Sequence, residues 1–325
     1  MPSRTAGPTV TSGTAYQRYR PLMFSIAYRM LGSVTEAEDV LQEAFLRYHR
    51  AESAGTGIES PKAFLSAVTT RLCIDELRSA RARREAYPGE WLPEPLLTAD
   101  NAVLAGPAPD DPATAAEQAD TLSMAFLLLL ERLSPVERAV FLLHDVFSYG
   151  YDEVASIVGK SEDNCRQLAL RARRHVADGK PRFEASRGKR DELAATFFRA
   201  VQDGDLDGLV GMLAADVVVV GDNAGIQPRW PRPIIGRDRV GRLLVGLGQQ
   251  IQEAGILIRP AEVNGQPGAL CVDSGGRIAN VFVLDIVGGQ VHAIRSVISP
   301  GKLRHLGPLA DLDQLRDQRR ANRGH

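Results

Sequence analysis

The chain has 325 residues, 44% of them hydrophobic, which supports two or three packed domains, and its formal net charge is only -1. A protein that grips nucleic acid unaided is usually strongly basic, so this balance excludes a polyanion-binding surface spread over the whole molecule and leaves local patches at 78–84 and 160–190. Cys73, Cys165 and Cys271 form no metal-like pair and no disulfide framework, so no metal and no cofactor is expected and a reducing cytoplasm fits.

A disordered tail is expected over residues 1–15, which lack the apolar core of a secretory signal. Tyr19, Leu22, Met23, Ile26, Ala27 and Met30 then recur at helical spacing and stop at Gly32, the mark of an amphipathic helix with a glycine end. A second helix is expected from Thr35, with Thr35 and Glu38 as a reciprocal capping box. Its buried face runs through Ala37, Val40, Leu41, Ala44, Phe45 and Tyr48, and its other face carries Glu38, Asp39, Gln42 and Glu43. Asp39 and Glu43, four apart, repel slightly and Arg47 offsets only part of this; an external basic partner would make better use of the stripe, and on the residues alone an ordinary solvated acidic face is the commoner reading. Ser60-Pro61 opens a third helix with Phe64, Leu65, Val68 and Leu72 inward and Arg71, Asp75, Arg78 and Arg81 outward. Residues 16–86 form one all-helical domain on this reading.

Residues 87–114 are rich in proline and alanine and have no period, so they read as a linker. Within it Trp91-Leu92-Pro93-Glu94-Pro95 is a stiff stretch with one large apolar anchor, suited to docking in a groove through Trp91, Pro93 and Glu94. Helices resume near Ala115 and run to about residue 183. The longest apolar run of the chain, Met124–Leu130, lies here and falls far short of the roughly 20 residues that cross a bilayer, so no membrane role is expected. Ser134, Pro135 and Glu137 supply a cap, a first helical residue and a capping-box partner. Val154, Ala155, Ile157 and Val158 follow on a short helix, Gly159 permits a tight turn, and Ser161 caps a third helix. That helix turns Cys165, Leu168, Ala169 and Ala172 inward and Asn164, Arg166, Gln167 and Arg171 outward, side chains whose forks match guanine and adenine edges. The segment reads as a DNA-reading helix-turn-helix, the alternative being a solvated polar face on an ordinary helix.

From Asp191 the pattern changes to two short helices and then β-branched runs at 217–220, 279–284 and 291–298, broken by Gly221, Gly275-Gly276 and Gly288-Gly289. A separate α+β domain is expected over 190–304, followed by a tail over 305–325. Its form should be a curved sheet wrapped by helices around an apolar pocket, with Asp222, Trp230, His292 and Arg295 as candidates to line it.

The three-helix block, linker and helix-turn-helix, about Tyr16 to Val176, resemble bacterial extracytoplasmic-function (ECF) RNA polymerase sigma factors. Ala37-Glu38-Asp39-Val40-Leu41-Gln42-Glu43-Ala44-Phe45 is similar to the family's core-polymerase-binding segment, and Arg71-Leu72-Cys73-Ile74-Asp75-Glu76-Leu77-Arg78 to its promoter-melting helix. The Trp91-Leu92-Pro93-Glu94-Pro95 linker and the added domain resemble the subgroup with a SnoaL-like (NTF2-like) extension, whose glycine-rich turn is Asp222-Asn223-Ala224-Gly225 here and whose Asn-Pro-Asp-Lys-Leu type segment is Ser299-Pro300-Gly301-Lys302-Leu303. The implied architecture is multidomain: two all-α sigma domains, the second with the helix-turn-helix, followed by an α+β NTF2/SnoaL-like cone.

The resemblance implies that Glu38, Asp39, Gln42 and Glu43 meet the clamp region of the beta-prime subunit of core polymerase, and that Arg71, Asp75, Arg78 and Arg81 meet the minus-ten element of promoter DNA. It implies that Lys160, Arg173 and Arg174 hold phosphates of the minus-thirty-five element while Asn164, Arg166, Gln167 and Arg171 read its bases. An anti-sigma partner is left open, and a cytoplasmic location is expected. The alternative is a one-component DNA-binding regulator with a small-ligand-sensing C-terminal domain. An enzyme is not expected, since no phosphate loop, zinc spacing or nucleophile elbow is present. For the C-terminal domain three readings stand: a contact surface for the linker and promoter-binding domains, a small-ligand sensor, and a catalyst with a carboxylate base.

Overall fold

The computed structural model describes residues 12–85, 87–98, 120–177, 187–225 and 232–323. In chain order its elements are α1 (Ser12–Leu31), α2 (Val34–Ser53), α3 (Pro61–Glu85), α4 (Met124–Leu130), α5 (Pro135–Phe141) running into a π-helical turn (Leu142–Val146), α6 (Tyr151–Val158), α7 (Glu162–Ala177), α8 (Arg187–Asp203) and α9 (Leu206–Met212). They continue with β1 (Leu213–Asp222), β2 (Ile234–Ile235), α10 (Arg237–Glu253), β3 (Leu257–Val263), β4 (Gln266–Val272), β5 (Ile278–Val287), β6 (Gln290–Val297), α11 (Pro300–Leu303) and α12 (Leu312–Arg323). The chain divides into two units, Met1–Ala80 with Ala102–Pro109 and Leu133–His175, and Arg81–Asn101 with Asp110–Arg132 and Val176–His325.

In the first unit α1 begins at Ser12 and buries Ala15 fully, so residues 12–15, expected in a disordered tail, are helical, and residues 1–11 lie outside the described residues. Gly32, at φ +67°, ends the helix. The cap of α2 is Ser33, whose Oγ accepts the Glu36 N–H at 3.1 Å, rather than Thr35; the chain re-enters the helix immediately after the glycine, leaving Thr35 inside it. Ser60 caps α3 through the Ala63 N–H (3.2 Å). Ser134 and Glu137 form the reciprocal pair that starts α5, with Ser134 Oγ accepting the Glu137 N–H at 3.3 Å and Glu137 Oε2 accepting the Ser134 N–H at 3.1 Å. Gly159 takes the left-handed conformation at φ +66° between α6 and α7, and Ser161 caps α7.

Long cationic side chains tie these helices together by capturing backbone carbonyls. Arg138 of α5, buried, donates to Met30 O at the end of α1 (2.5 Å). Arg71 of α3 donates from Nε to Ile157 O and from Nη2 to Ser156 O, both at 2.8 Å, filling carbonyls that the last turn of α6 cannot satisfy itself. Ser66 and Tyr149 share a hydroxyl hydrogen bond of 2.7 Å. Arg29 is fully buried beneath the Phe147 ring, and burial lowers its guanidinium to about 10.

The second unit is built on a six-stranded sheet ordered β2-β1-β6-β5-β4-β3, antiparallel except for the β1–β6 pair. One face carries Phe282, Leu284 and Ile286 and packs on α8, α9 and α10. The other carries Val281 and Val283 and packs on Leu92 and on Met124 and Leu128 of α4. Strand β5 therefore reads as a near-continuous apolar run, Val281-Phe282-Val283-Leu284, because both of its faces are covered, each by different elements. Helix α10, which the sequence reading omitted, is rich in glycine for a reason: a Cβ on Gly248 would lie 2.0 Å from Val201 O, so glycine lets α10 approach the backbone of α8. The expected tail over 305–325 contains α12, another correction; its strongly polar composition hid two apolar contacts, Leu312 and Leu315.

Candidate functional site

On α2, Asp39 and Gln42 are exposed, while Glu43 pairs with Arg47 at 2.7 Å and Glu38 with Arg20 at 2.6 Å. Pairs this exposed hold weakly, about 0–1 kcal/mol each, so an external cation can displace the arginines. On α3, Arg78 pairs with Asp75 at 3.3 Å in the open, and the side chain of Arg81 lies outside the described residues. Arg71 is engaged with the carbonyls of α6, so it is not poised for phosphate in this conformation.

On α7, Cys165, Ala169 and Ala172 are buried and Leu168 half-buried, while Lys160, in the turn before it, and Asn164, Gln167, Arg171 and Arg174 are exposed. Arg166 lies along the same exposed face, held by Glu162 at 2.8 Å and Asp163 at 2.9 Å, with its guanidinium over the Tyr151 ring. Arg173 pairs with Asp145 at 2.7 Å. Helix and turn thus form one outward surface of donors and acceptors whose charges are partly held by its own carboxylates.

The linker lies against the sheet of the second unit. Leu92, Pro93, Glu94, Pro95 and Leu96 are all buried, and Trp91 is half-buried with its ring 4.5 Å from the Lys302 ammonium. Asp222, fully buried at the end of β1, collects four donors: Lys302 Nζ at 2.5 Å, the Tyr87 hydroxyl at 2.6 Å, the Leu92 N–H at 2.8 Å and the Ala224 N–H at 3.3 Å. Lys302 also donates to Leu92 O. Burial, and then the bond to Asp222, push the Tyr87 phenol well above the usual tyrosine range. Further along, His305 Nε2 donates to Pro95 O at 2.7 Å and its Nδ1 lies 3.8 Å from Glu94. Asn264, in the β3–β4 turn at φ +54°, accepts the Leu96 N–H at 2.9 Å, returns its own N–H to Leu96 O at 2.7 Å, and donates from Nδ2 to Leu122 O at 2.9 Å. Leu97 pairs with Val263 as a short extension of the sheet edge.

The residues expected to line a pocket are dispersed. Asp222 serves the linker. Arg295 is paired with buried Asp285 on the sheet face that carries Val283, because it stands opposite Val283 in the β5–β6 register. His292 is half-exposed, 3.9 Å from Asp216, and Trp230 lies outside the described residues. The cavity, of about 270 Å3, sits instead beside α10 and under α12, between Leu247, Ile251, Ile256, Cys271 and Leu315. That correction follows from strand alternation: Gly221 and Asn223 line the cavity, and Asp222 between them points to the opposite side. Tyr87, Asn264, Lys302 and His305 were missed as linker-holding residues, although Asn264-Gly265 is a strong hairpin-turn signal and Lys302 lies in a segment already singled out.

A family model described as Sigma-70 region 2 matches residues 15–83, and one described as Sigma-70 region 4 matches residues 123–176. The chain is 37% identical over 298 residues to the ECF RNA polymerase sigma factor SigJ of Mycobacterium tuberculosis, covering 88% of this chain and 91% of that one. It is 33% identical over 289 residues to the probable ECF RNA polymerase sigma factor SigI of the same organism, covering 89% and 93%. The crystal structure of the Mycobacterium tuberculosis SigJ is similar with a TM-score of 0.69 at 34% identity, covering 92% of this chain and all of that one. Region 2, region 4 and the α+β domain are thus matched together over most of the chain, and the chain belongs to the extracytoplasmic-function RNA polymerase sigma factors, the subunits that direct promoter-specific transcription initiation.

Proposed function

We propose that this sigma factor is modulated in cis by its C-terminal domain, which clasps the linker between the two promoter-reading regions. The observation that carries this reading is the run of five consecutive buried linker residues, Leu92 to Leu96, held at one end by Asp222 and Lys302 and at the other by Asn264. A free linker lets region 2 and region 4 find the spacing that polymerase and promoter impose; a linker pinned over 91–98 removes part of that freedom and changes their effective concentration for DNA. In this scheme Asp39, Gln42, Glu43 and Glu38 meet the beta-prime clamp, Asp75, Arg78, Arg81 and, once it leaves the carbonyls of α6, Arg71 meet the minus-ten element, and Asn164, Arg166, Gln167 and Arg171 meet the bases of the minus-thirty-five element, with Lys160, Arg173 and Arg174 on its phosphates. The likeness to full-length sigma factors and the acidic stripe on α2 do not favour a free-standing regulator.

The test is run-off transcription with core polymerase and the Trp91→Ala chain. A changed transcript yield at equal sigma concentration is expected, and a yield identical to that of the unsubstituted chain overturns the clasp as a regulatory element.

A further inference from the structure

We infer that the cavity beneath α12 is a binding site for a small apolar molecule carrying one anionic group, and that its occupancy is coupled to the linker clasp through the end of β1. The coupling half of this inference rests on the clasp described above; the binding half does not.

The walls are apolar. Leu243, Leu247 and Ile251 come from α10, Ile256 from the residue just before β3, Cys271 from β4, and Leu315 from α12. Burial pushes the Cys271 thiol up to about 12, so at neutral pH it is an uncharged part of the wall. Every charged side chain that lines the cavity among the described residues is an arginine: Arg316, Arg319 and Arg320, all from α12. Their carboxylate partners, Asp313, Asp317 and Glu253, do not line it. The Arg316–Asp313 and Arg320–Asp317 pairs lie in the open, so a desolvated anion competes with them at little cost. Arg319 is placed at the wall by a 2.6 Å bond to Gln250, itself a lining residue, and Asn280 adds a further polar group. An apolar volume of about 270 Å3 with guanidinium groups on one side and no facing carboxylate matches an aromatic or aliphatic acid and disfavours a cation or a sugar.

The link to the linker needs no long pathway. Gly221 and Asn223 face the cavity while Asp222 between them holds Lys302, Tyr87 and Leu92. Ile298 lines the cavity too, and its N–H, with that of Ser299, donates to Asp222 O at 2.8 and 3.2 Å. A ligand that fills the void braces the strand end from one side and thereby holds the Asp222 carboxylate against the linker on the other. Binding energy and clasp stability are then linked reciprocally.

The experiment titrates the full chain with 8-anilino-1-naphthalenesulfonate, a bicyclic anion, and follows amide hydrogen exchange at Leu92 and Leu96 with and without saturating probe. Saturable one-site binding is expected, weakened about tenfold or more in Arg319→Gln and lost in the cavity-filling Ala279→Trp, whose fold is checked by circular dichroism. Exchange at Leu92 and Leu96 should slow by about fivefold or more when the probe is bound. Binding that is non-saturable, or that is equal in Arg319→Gln and Ala279→Trp, overturns the site. Saturable binding with unchanged exchange at Leu92 overturns the coupling. Neither readout involves transcription, so failure here leaves the regulatory reading of the linker intact, and an inert Trp91→Ala variant sinks that reading without touching the cavity.

Discussion

Lys302 Nζ stands 2.5 Å from Asp222 Oδ2, and with the Asp222 side chain fully buried and that of Lys302 only 11% exposed, each is the other's counter-charge. Breaking a buried pair from one side is costly because it strands the remaining charge, by about 3–5 kcal/mol. Asp222→Asn should therefore destabilise the chain by about that amount in urea unfolding. Lys302→Met should cost less, since the carboxylate keeps the Tyr87 hydroxyl and the Leu92 and Ala224 amides. The reverse order would show that the lysine, not the aspartate, organises the clasp.

Asn264 pins the far end of the linker while adopting a left-handed backbone. Asn264→Gly relieves the conformational strain and removes both side-chain bonds, leaving the Leu96 N–H and Leu122 O without them; a loss of about 2 kcal/mol or more is expected. Asn264→Ala should lose more again, because alanine resists positive φ. Denaturation midpoints at unchanged m-value measure both, and a glycine variant as stable as the parent would mean the linker is not held there.

Arg71 donates to Ser156 O and Ile157 O from an exposed position, so its contribution to the first unit is modest, about 1 kcal/mol. Arg71→Ala should lower thermal stability slightly while raising protease susceptibility near α6. An unaltered cleavage pattern would indicate that these bonds do not hold the helices together in solution.

Arg166 is the base-reading candidate whose own helix already holds it, through Glu162 and Asp163. If it contacts a guanine in the minus-thirty-five element, Arg166→Ala in holoenzyme should cost on the order of 1–3 kcal/mol of promoter affinity and relax sequence preference at one position. A footprint and affinity equal to those of the parent would move the base contact to Gln167 or Arg171.

All three cysteines are buried and free, and burial raises each thiol, that of Cys271 to about 12. A raised thiol presents little thiolate at pH 8, so the native chain should react with a disulfide reagent far more slowly than free cysteine, with all three sites released together on unfolding. One fast thiol in the native chain would contradict this burial.

The helix-turn-helix was legible because its signals are local: the Ser134–Glu137 box, the Gly159 turn and the 3.6-residue spacing of Cys165, Ala169 and Ala172 need no knowledge of tertiary contacts. The true cap at Ser33 lies two residues before an equally good pattern at Thr35, and what distinguishes them is that the helix restarts immediately after Gly32, which leaves Thr35 inside it. Helix α10 was hidden by Gly241, Gly246 and Gly248, which read as breakers in sequence; in the structure Gly241 packs closely against α9 and Gly248 against α8. The partners of the linker lie 130 and more residues away along the chain, at Asp222, Asn264 and Lys302, so no periodicity could connect them. Asp222 drew attention as a polar residue at a glycine-rich turn, yet its side of the strand, the linker side, is set by alternation across a sheet whose register the sequence does not print.

The most direct test is a footprint on a cognate promoter with the chain alone and with the chain bound to core RNA polymerase. A near-neutral protein with two small DNA-reading surfaces should leave free promoter DNA unprotected, and with core should protect the minus-ten and minus-thirty-five elements together. Tight, sequence-specific protection by the isolated chain, or failure to associate with core polymerase, would contradict the account.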